Sequence, residues 1–345
     1  MKKNYFSELS RCYLIAEIGV NHNGDIDLAK NMIKKAKEIG ADAVKFQTFT
    51  ADKLVSQNAP KVPYQKESSN SLESHYEMIR KLELSHGDHF LLKEYADNIG
   101  IDFLSTPYDV DSAKFLHEEL DVPFFKTASA DIIDLPLHKF IASTGKPSII
   151  SVGMASLGEI ETVLDIYNEN CSSDIVLLHC VSNYPCSYDS LNISVMNTLK
   201  GAFNLPVGFS DHSIGFEAAM LSIALGAKVI EKHFTTDKKL PGPDHLASSD
   251  FEEFSDLVIK VRHAERIMGS QIKRLQDEEK SMFSFSRKSI HIVNEMMVND
   301  ELNIDNIILK RPGTGLPPDM ISSVIGRKIS KNLKKGEMLD ISHFQ

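Results

Sequence analysis

Residues 205–234 read LPVGFSDHSIGFEAAMLSIALGAKVIEKHF. An apolar run, LPVGFS, leads into His212; a helical stretch, GFEAAMLSIALG, follows; a second apolar run, AKVIEKHF, carries His233 near its end. Strand, helix and strand in that order form the unit from which parallel sheets are built. Two imidazoles at the C-terminal ends of successive buried strands point into one cleft. A barrel enzyme assembles a metal site with open positions in this way.

The same alternation extends through most of the chain. Strand candidates are CYLIAEIG, DAVKFQTF, IDFLSTPY, FFKTAS, PSIISVG, DIVLLHC, LPVGFSD and AKVIEKHF, with helical stretches such as DLAKNMIKKAKEIG, DVDSAKFLHEEL and LGEIETVLDIYNE between them. Eight strand–helix units in about 250 residues match a (β/α)8 TIM barrel. A doubly wound open sheet would usually stop at five or six strands and begin with a glycine-rich turn. The first turn here, GVNHNGD, lacks GxGxxG, which favours the barrel. Residues 50–87 interrupt the pattern as a long polar insertion, the kind of loop that serves as a lid or binding element. After FEEFSDLVIKVRHAERIMG the composition changes to short strands and turns. Residues 284–345 hold nine basic and seven acidic side chains, so they carry +2 while the remainder of this −10 chain carries −12. The expected organisation is a barrel over 1–270, a charged linker over 271–283 and a small β-rich domain over 284–345.

Composition narrows the function. With 48 acidic against 38 basic side chains, nucleic acid and anionic membrane are disfavoured as partners. No apolar run reaches the ~20 residues of a membrane span. The N-terminal apolar stretch reads as a first strand and not as a signal peptide. Cys12, Cys171, Cys180 and Cys186 show no CxxC spacing, as expected of a reduced cytoplasmic protein without structural zinc.

Reacting groups of a barrel lie at the C-terminal strand ends. Those ends hold Glu17, Lys45, Gln47, Ser105, Thr106, Lys126, Ser129, Asp131, Ser151, His179, Ser182, Tyr184, Ser210, His212, Glu231 and His233. Two lysines among several hydroxyls make a receptor for phosphate or carboxylate. Plainer roles stand beside this one. Lys45 and Lys126 could pair internally with Glu17 or Asp131, His212 and His233 could be core histidines bonded to backbone, and Asp131 could cap the next helix.

Eight blocks carry a family resemblance: AEIGVNHNGD, GADAVKFQTF, IDFLSTPYD, KTASADIIDLP, LLHCVSNYP, GFSDHS, IEKHFTTDK and LPGPDHLAS. In this order they resemble the sialic acid synthase family. The tail RKSI…RPGTGLPP…IGRKIS…KKGE resembles the antifreeze-like (SAF) domain that follows the barrel there. The resemblance implies an enzyme that condenses phosphoenolpyruvate with an open-chain N-acylated amino sugar. It implies His212 and His233 as ligands of a divalent metal, Mn2+ before Mg2+ or Co2+. Lys45, Thr106, Lys126, Ser129, Ser151, Ser182 and Ser210 match the residues that bind phosphoenolpyruvate. Asp131 matches an acidic residue that activates water or handles its proton, with Glu17, Lys45 and Lys126 beside it in the catalytic set. Gln47, Tyr184, Asp244 and Phe285 match the sugar and metal pocket. Arg311 resembles an arginine that one subunit inserts over its partner's barrel, which implies a domain-exchanged homodimer.

In the implied reaction, C3 of phosphoenolpyruvate attacks the sugar aldehyde, water adds at C2, and phosphate leaves by C–O cleavage. PGPDHLAS and EIGVNHNG resemble the N-acetylneuraminate and legionaminate branches more than the pseudaminate branch, and the expected acceptor is N-acetylmannosamine with N-acetylneuraminate as product. The alternative acceptor is 2,4-diacetamido-2,4,6-trideoxymannose, giving N,N'-diacetyllegionaminate. Outside this class the rivals are a metal-dependent hydrolase or aldolase and a non-catalytic carbohydrate-binding protein.

Overall fold

A computed structural model describes residues 5–61, 73–170 and 174–345. The chain forms two compact units, Met1–Gly269 and Ser270–Gln345. In the first, eight strands run parallel: β1 Tyr13–Gly19, β2 Ala43–Thr48, β3 Asp102–Pro107, β4 Phe125–Thr127, β5 Ser148–Ser151, β6 Ile175–His179, β7 Val207–Asp211 and β8 Val229–His233. The ladder runs β3-β2-β1-β8-β7-β6-β5-β4, and its end strands β3 and β4 pack side by side. Helices follow the strands, so the sheet curls into the expected (β/α)8 barrel.

Period-two alternation sorts each strand between two cores. Leu14, Ala16, Val44, Phe103, Ile150, Leu177, Phe209 and Ile230 belong to the large layer beneath the helices. Tyr13, Ile15, Ala43, Leu104, Phe124, Ile149, Val176, Leu178 and Val229 fill the barrel itself. Two residues further along the inward set the chemistry turns polar: Ile15 gives way to Glu17, Ala43 to Lys45, Leu104 to Thr106, Phe124 to Lys126, Ile149 to Ser151 and Val229 to Glu231. The barrel is therefore apolar at its N-terminal end and charged at its C-terminal end. Phe6, fully buried, joins the apolar inner cluster, and Asp174 accepts the backbone N–H groups of Tyr5 and Phe6.

The insertion is not a plain loop. It holds helices Ala51–Leu54 and His75–Lys81, the second started by a reciprocal Ser74–Glu77 capping box. Positions 62–72 lie outside the described residues. No helix among the described residues is long and apolar enough to cross a membrane.

The second unit contains an antiparallel pair, β9 Ser289–Ile292 with β10 Ile307–Lys310, and short helical turns. Its own core gathers Ile290, Ile292, Leu302, Val324, Ile329 and Leu339. The stretch 271–283, expected as a linker, groups with this unit and leads into the helix Lys280–Ser286.

Candidate active site

The polar end of the barrel opens into a cavity of about 440 Å3. Glu17, Lys45, Gln47, Lys126, Ser129, Ser151, Ser182, Tyr184, Ser210, His212 and His233 line it, all from the strand-end set, together with Asp244, to which the resemblance alone points. Thr106 is buried one step away and accepts a bond from Lys45 Nζ at 2.9 Å.

Four charges meet on the floor. Lys45 Nζ stands 2.9 Å from Glu17 Oε2 and 3.7 Å from Glu231 Oε2, and Lys126 Nζ stands 3.5 Å from Glu231 Oε1. Glu17, Lys45, Lys126 and Glu231 are each 2–4 % exposed, so solvent does little to screen them. Burial raises the Glu17 carboxyl, with Glu231 adding to the shift against the pull of Lys45. Burial also works on Glu231, but Lys126 and Lys45 outweigh it and hold its carboxyl below the usual range. Burial opposes the Lys45 ammonium, yet Glu17 and Glu231 prevail and raise its pKa. Lys126 is lowered, chiefly by burial.

An internal ion pair was one expectation for each lysine. Lys45 does pair with Glu17, whereas the carboxylate beside Lys126 is Glu231 and not Asp131. Glu231 stood on the strand-end list without an assigned role. Its position two residues before His233 on β8 was the available signal, since it puts both on the inward face.

Two further expectations change. Asp131 does not cap the helix Leu135–Thr144: Asp134 does, accepting from Leu137 N–H at 3.1 Å. Asp131 instead lies in the turn Ser129–Ile133, outside the cavity lining, with Oδ2 buried and without a hydrogen-bond partner. Burial and the nearby Asp134 push its carboxyl up to about 7. Phe285 and Arg311 belong to the second unit, where Phe285 is exposed and Arg311 Nε donates to the Ser286 carbonyl at 2.9 Å.

His212 and His233 face each other with ring centroids 5.7 Å apart, and the Tyr184 ring lies 4.2 Å from His212 and 5.4 Å from His233. His212 Nδ1 donates to the Val181 carbonyl at 2.8 Å, which leaves Nε2 as the lone-pair nitrogen. His233 Nδ1 is buried without a partner. Burial lowers both pKa values, and for His233 the neighbouring His212 adds to the effect. Two neutral imidazoles on one cavity are a donor set that fits a divalent ion. No group of three or more His, Cys, Asp or Glu among the described residues is placed to hold a metal.

Sequence reasoning did not find the apolar side of the cavity. Val20, Leu54, Val55, Ile79, Tyr108 and Met154 line it, together with His75. Leu54, Val55, His75 and Ile79 come from the insertion, whose polar composition hid the few inward residues. Cys180 also lines the cavity, with Sγ 2.8 Å from Ser129 Oγ. His179 stays structural, its Nε2 bonded to the Leu191 carbonyl at 2.7 Å.

Comparison with known proteins places this cavity in context. The chain is 46 % identical over 338 residues to an N,N'-diacetyllegionaminic acid synthase of Legionella pneumophila, covering 97 % of this chain and 95 % of that protein. It is 35 % identical to the human N-acetylneuraminate-9-phosphate synthase, over 95 % of this chain and 91 % of that one. A crystal structure of an N-acetylneuraminic acid synthetase from Leptospira borgpetersenii, in complex with citrate, matches with a TM-score of 0.71 and 35 % identity, over 79 % of this chain and 90 % of that chain. The NeuB family model matches residues 32–273 and the SAF domain model residues 287–345. The chain therefore belongs to the NeuB family, a family of nonulosonic acid synthases, and carries an SAF domain after its barrel.

Proposed function

We propose that this protein is an N,N'-diacetyllegionaminate synthase, condensing phosphoenolpyruvate with 2,4-diacetamido-2,4,6-trideoxymannose. The observation that carries the choice of sugar is the cavity's two-sided lining. Its lysines, Lys45 and Lys126, are both on the floor, while Val20, Leu54, Val55 and Ile79 present only hydrocarbon. An apolar wall suits the methyl group of a 6-deoxy sugar. Apart from His75, whose pKa burial lowers, that wall offers a sugar 6-phosphate no basic side chain among the described residues. The likeness to the Legionella synthase supports the same choice over the expected N-acetylneuraminate.

Phosphoenolpyruvate is a multiply charged anion, and the floor suits it. Lys45 and Lys126 supply charge, and Ser129, Ser151, Ser182 and Ser210 supply directed bonds around them. Ser151 Oγ is buried without a partner, as a donor reserved for a ligand would be. His212 and His233 would hold a divalent ion, Mn2+ in the first instance, which when bound polarises the sugar's aldehyde oxygen as a Lewis acid. Tyr184, Gln47 and Asp244 border the same space and orient the sugar. Of the two carboxyls in the expected catalytic set, Glu17 on the cavity floor, raised to about 7 chiefly by burial, is the one suited to hold or release the proton of the water that adds at C2, since Asp131 lies outside the lining. A hydrolase built on this cavity would want a third strong metal ligand, and a plain sugar binder has no use for two buried lysines.

Phosphate release from phosphoenolpyruvate, measured with Mn2+ and each amino sugar, tests the reading. The 2,4-diacetamido-6-deoxy sugar should give kcat/KM at least ~10-fold above N-acetylmannosamine, as expected when one pocket distinguishes a buried methyl from a hydroxyl. A preference for N-acetylmannosamine or its 6-phosphate would overturn the sugar assignment. Undiminished turnover after complete chelation would overturn the role of the metal.

A further inference from the structure

We infer that Asp211 and Lys232 form a clamp on the outer face of β7 and β8 that positions His212 and His233 for a divalent ion on the inner face. The inference rests on the metal reading above and concerns residues with no assigned role. Asp211 and Lys232 are paired partners across the two strands. Their strand neighbours Ser210, His212, Glu231 and His233 line the cavity, so alternation sends these two side chains the other way, toward the layer holding Phe209 and Ile230.

The bonds made there are dense. Lys232 Nζ donates to Asp211 Oδ2 at 2.7 Å and to the Ser213 carbonyl at 2.6 Å. Asp211 Oδ1 accepts from Ser213 N–H at 2.9 Å and from Ser213 Oγ at 2.6 Å. Asp211, Ser213 and Lys232 are all buried. These contacts seize the residues on both sides of His212 and the residue just before His233. Two strand ends are thereby locked in register where each carries an imidazole.

An ion pair is not what packing alone would select at this place. Well-packed apolar side chains of similar volume often match or exceed the stability of a buried pair. A directional tie does what apolar contacts cannot: it fixes the relative position of two backbones. Groups that orient metal ligands in this indirect way typically control affinity by 10- to 100-fold.

The test uses the full chain freed of metal by chelation and titrated with Mn2+, with free ion read by electron paramagnetic resonance. The charge-free double variant Asp211→Asn/Lys232→Met removes the pair without stranding one charge. It should weaken Mn2+ binding by roughly 10- to 100-fold while the metal-free melting curve and the KM for phosphoenolpyruvate are retained. Ser213→Ala deletes one hydroxyl from the tie, and should shift the Kd in the same direction by less. It decides the matter if the double variant does not fold. An unaltered Kd in either folded variant overturns the clamp and leaves the metal reading intact. Failure of the unaltered chain to bind Mn2+ overturns both.

Discussion

Glu231 sits where two lysines, a serine and a histidine converge. It lies within 3.5 Å of Lys126 and 3.7 Å of Lys45, and accepts a bond from Ser210 Oγ at 3.3 Å. With Glu17 it offsets the charge of the floor, so the repulsion between the two buried ammonium groups is reduced. Glu231→Gln keeps the shape and removes that charge. Breaking a buried pair costs about 3 kcal/mol, because the remaining ions stay buried without compensation. The ligand-free variant should therefore unfold at lower denaturant than the unaltered chain, and phosphoenolpyruvate should return part of the loss by binding the folded state alone. An unchanged denaturation midpoint would show that the floor does not depend on this carboxylate. At this scale the lysines and histidines were legible because charged residues ending apolar strands are conspicuous. The partner of Lys126 was not, since only closure of the barrel brings β4 and β8 to the same floor.

The segment before β1 illustrates how an element can be invisible by pattern. The sequence offers an apolar run starting near Cys12, and that run is a strand, Tyr13–Gly19. Residues 5–11 show no period of their own. In the fold they close the apolar end of the barrel: the Phe6 ring meets Phe124 edge-on at 5.4 Å, and Tyr13 meets Phe124 at 5.7 Å. Phe6→Ala should destabilise the barrel by about 3–5 kcal/mol, the cost of emptying a large buried aromatic site. The loss would be read as a lower urea midpoint with phosphoenolpyruvate affinity retained, because the charged floor is at the opposite end. A loss under ~1 kcal/mol would mean the segment merely covers the barrel without filling it. Regular elements were easier to read. The helix expected over 157–169 is found at Leu157–Glu169, where Ser156 and Glu159 cap its start and Ile160, Val163, Leu164 and Tyr167 face the core. β4 shrinks to Phe125–Thr127 because the chain turns at once into the helical turn Ser129–Ile133. The SAF domain shows short strands with a small core of its own, as its turn-rich composition implied.

Across the whole molecule, folding fixes several protonation states that the unfolded chain would not choose. His22, His138 and His245 are each held down to about 4, chiefly by burial. Their ordinary value is 6.5, so between pH 6.5 and 4 the unfolded chain binds more protons than the folded one. Their stabilising contribution is complete above 6.5 and is lost as pH falls through 4. Asp131 and Asp244 act in the opposite sense. Burial raises them to about 7 and about 6 from 3.8, so their contribution is complete below 3.8 and is lost as pH rises through those values. The two sets share one pH window and oppose each other, which flattens the net dependence of stability on pH. His138 isolates one side of this balance. It lies on the buried face of the helix Leu135–Thr144, with Nδ1 3.3 Å from the Tyr167 hydroxyl, and does not line the active-site cavity. His138→Leu removes its titration from both states. The variant's stability relative to the unaltered chain should then rise by about 3 kcal/mol on going from pH 7 to pH 4, because folding lowers the His138 pKa from 6.5 to about 4. Urea titrations of both proteins at the two pH values measure that difference directly. A difference independent of pH would mean that His138 carries the same charge in the folded and unfolded chains.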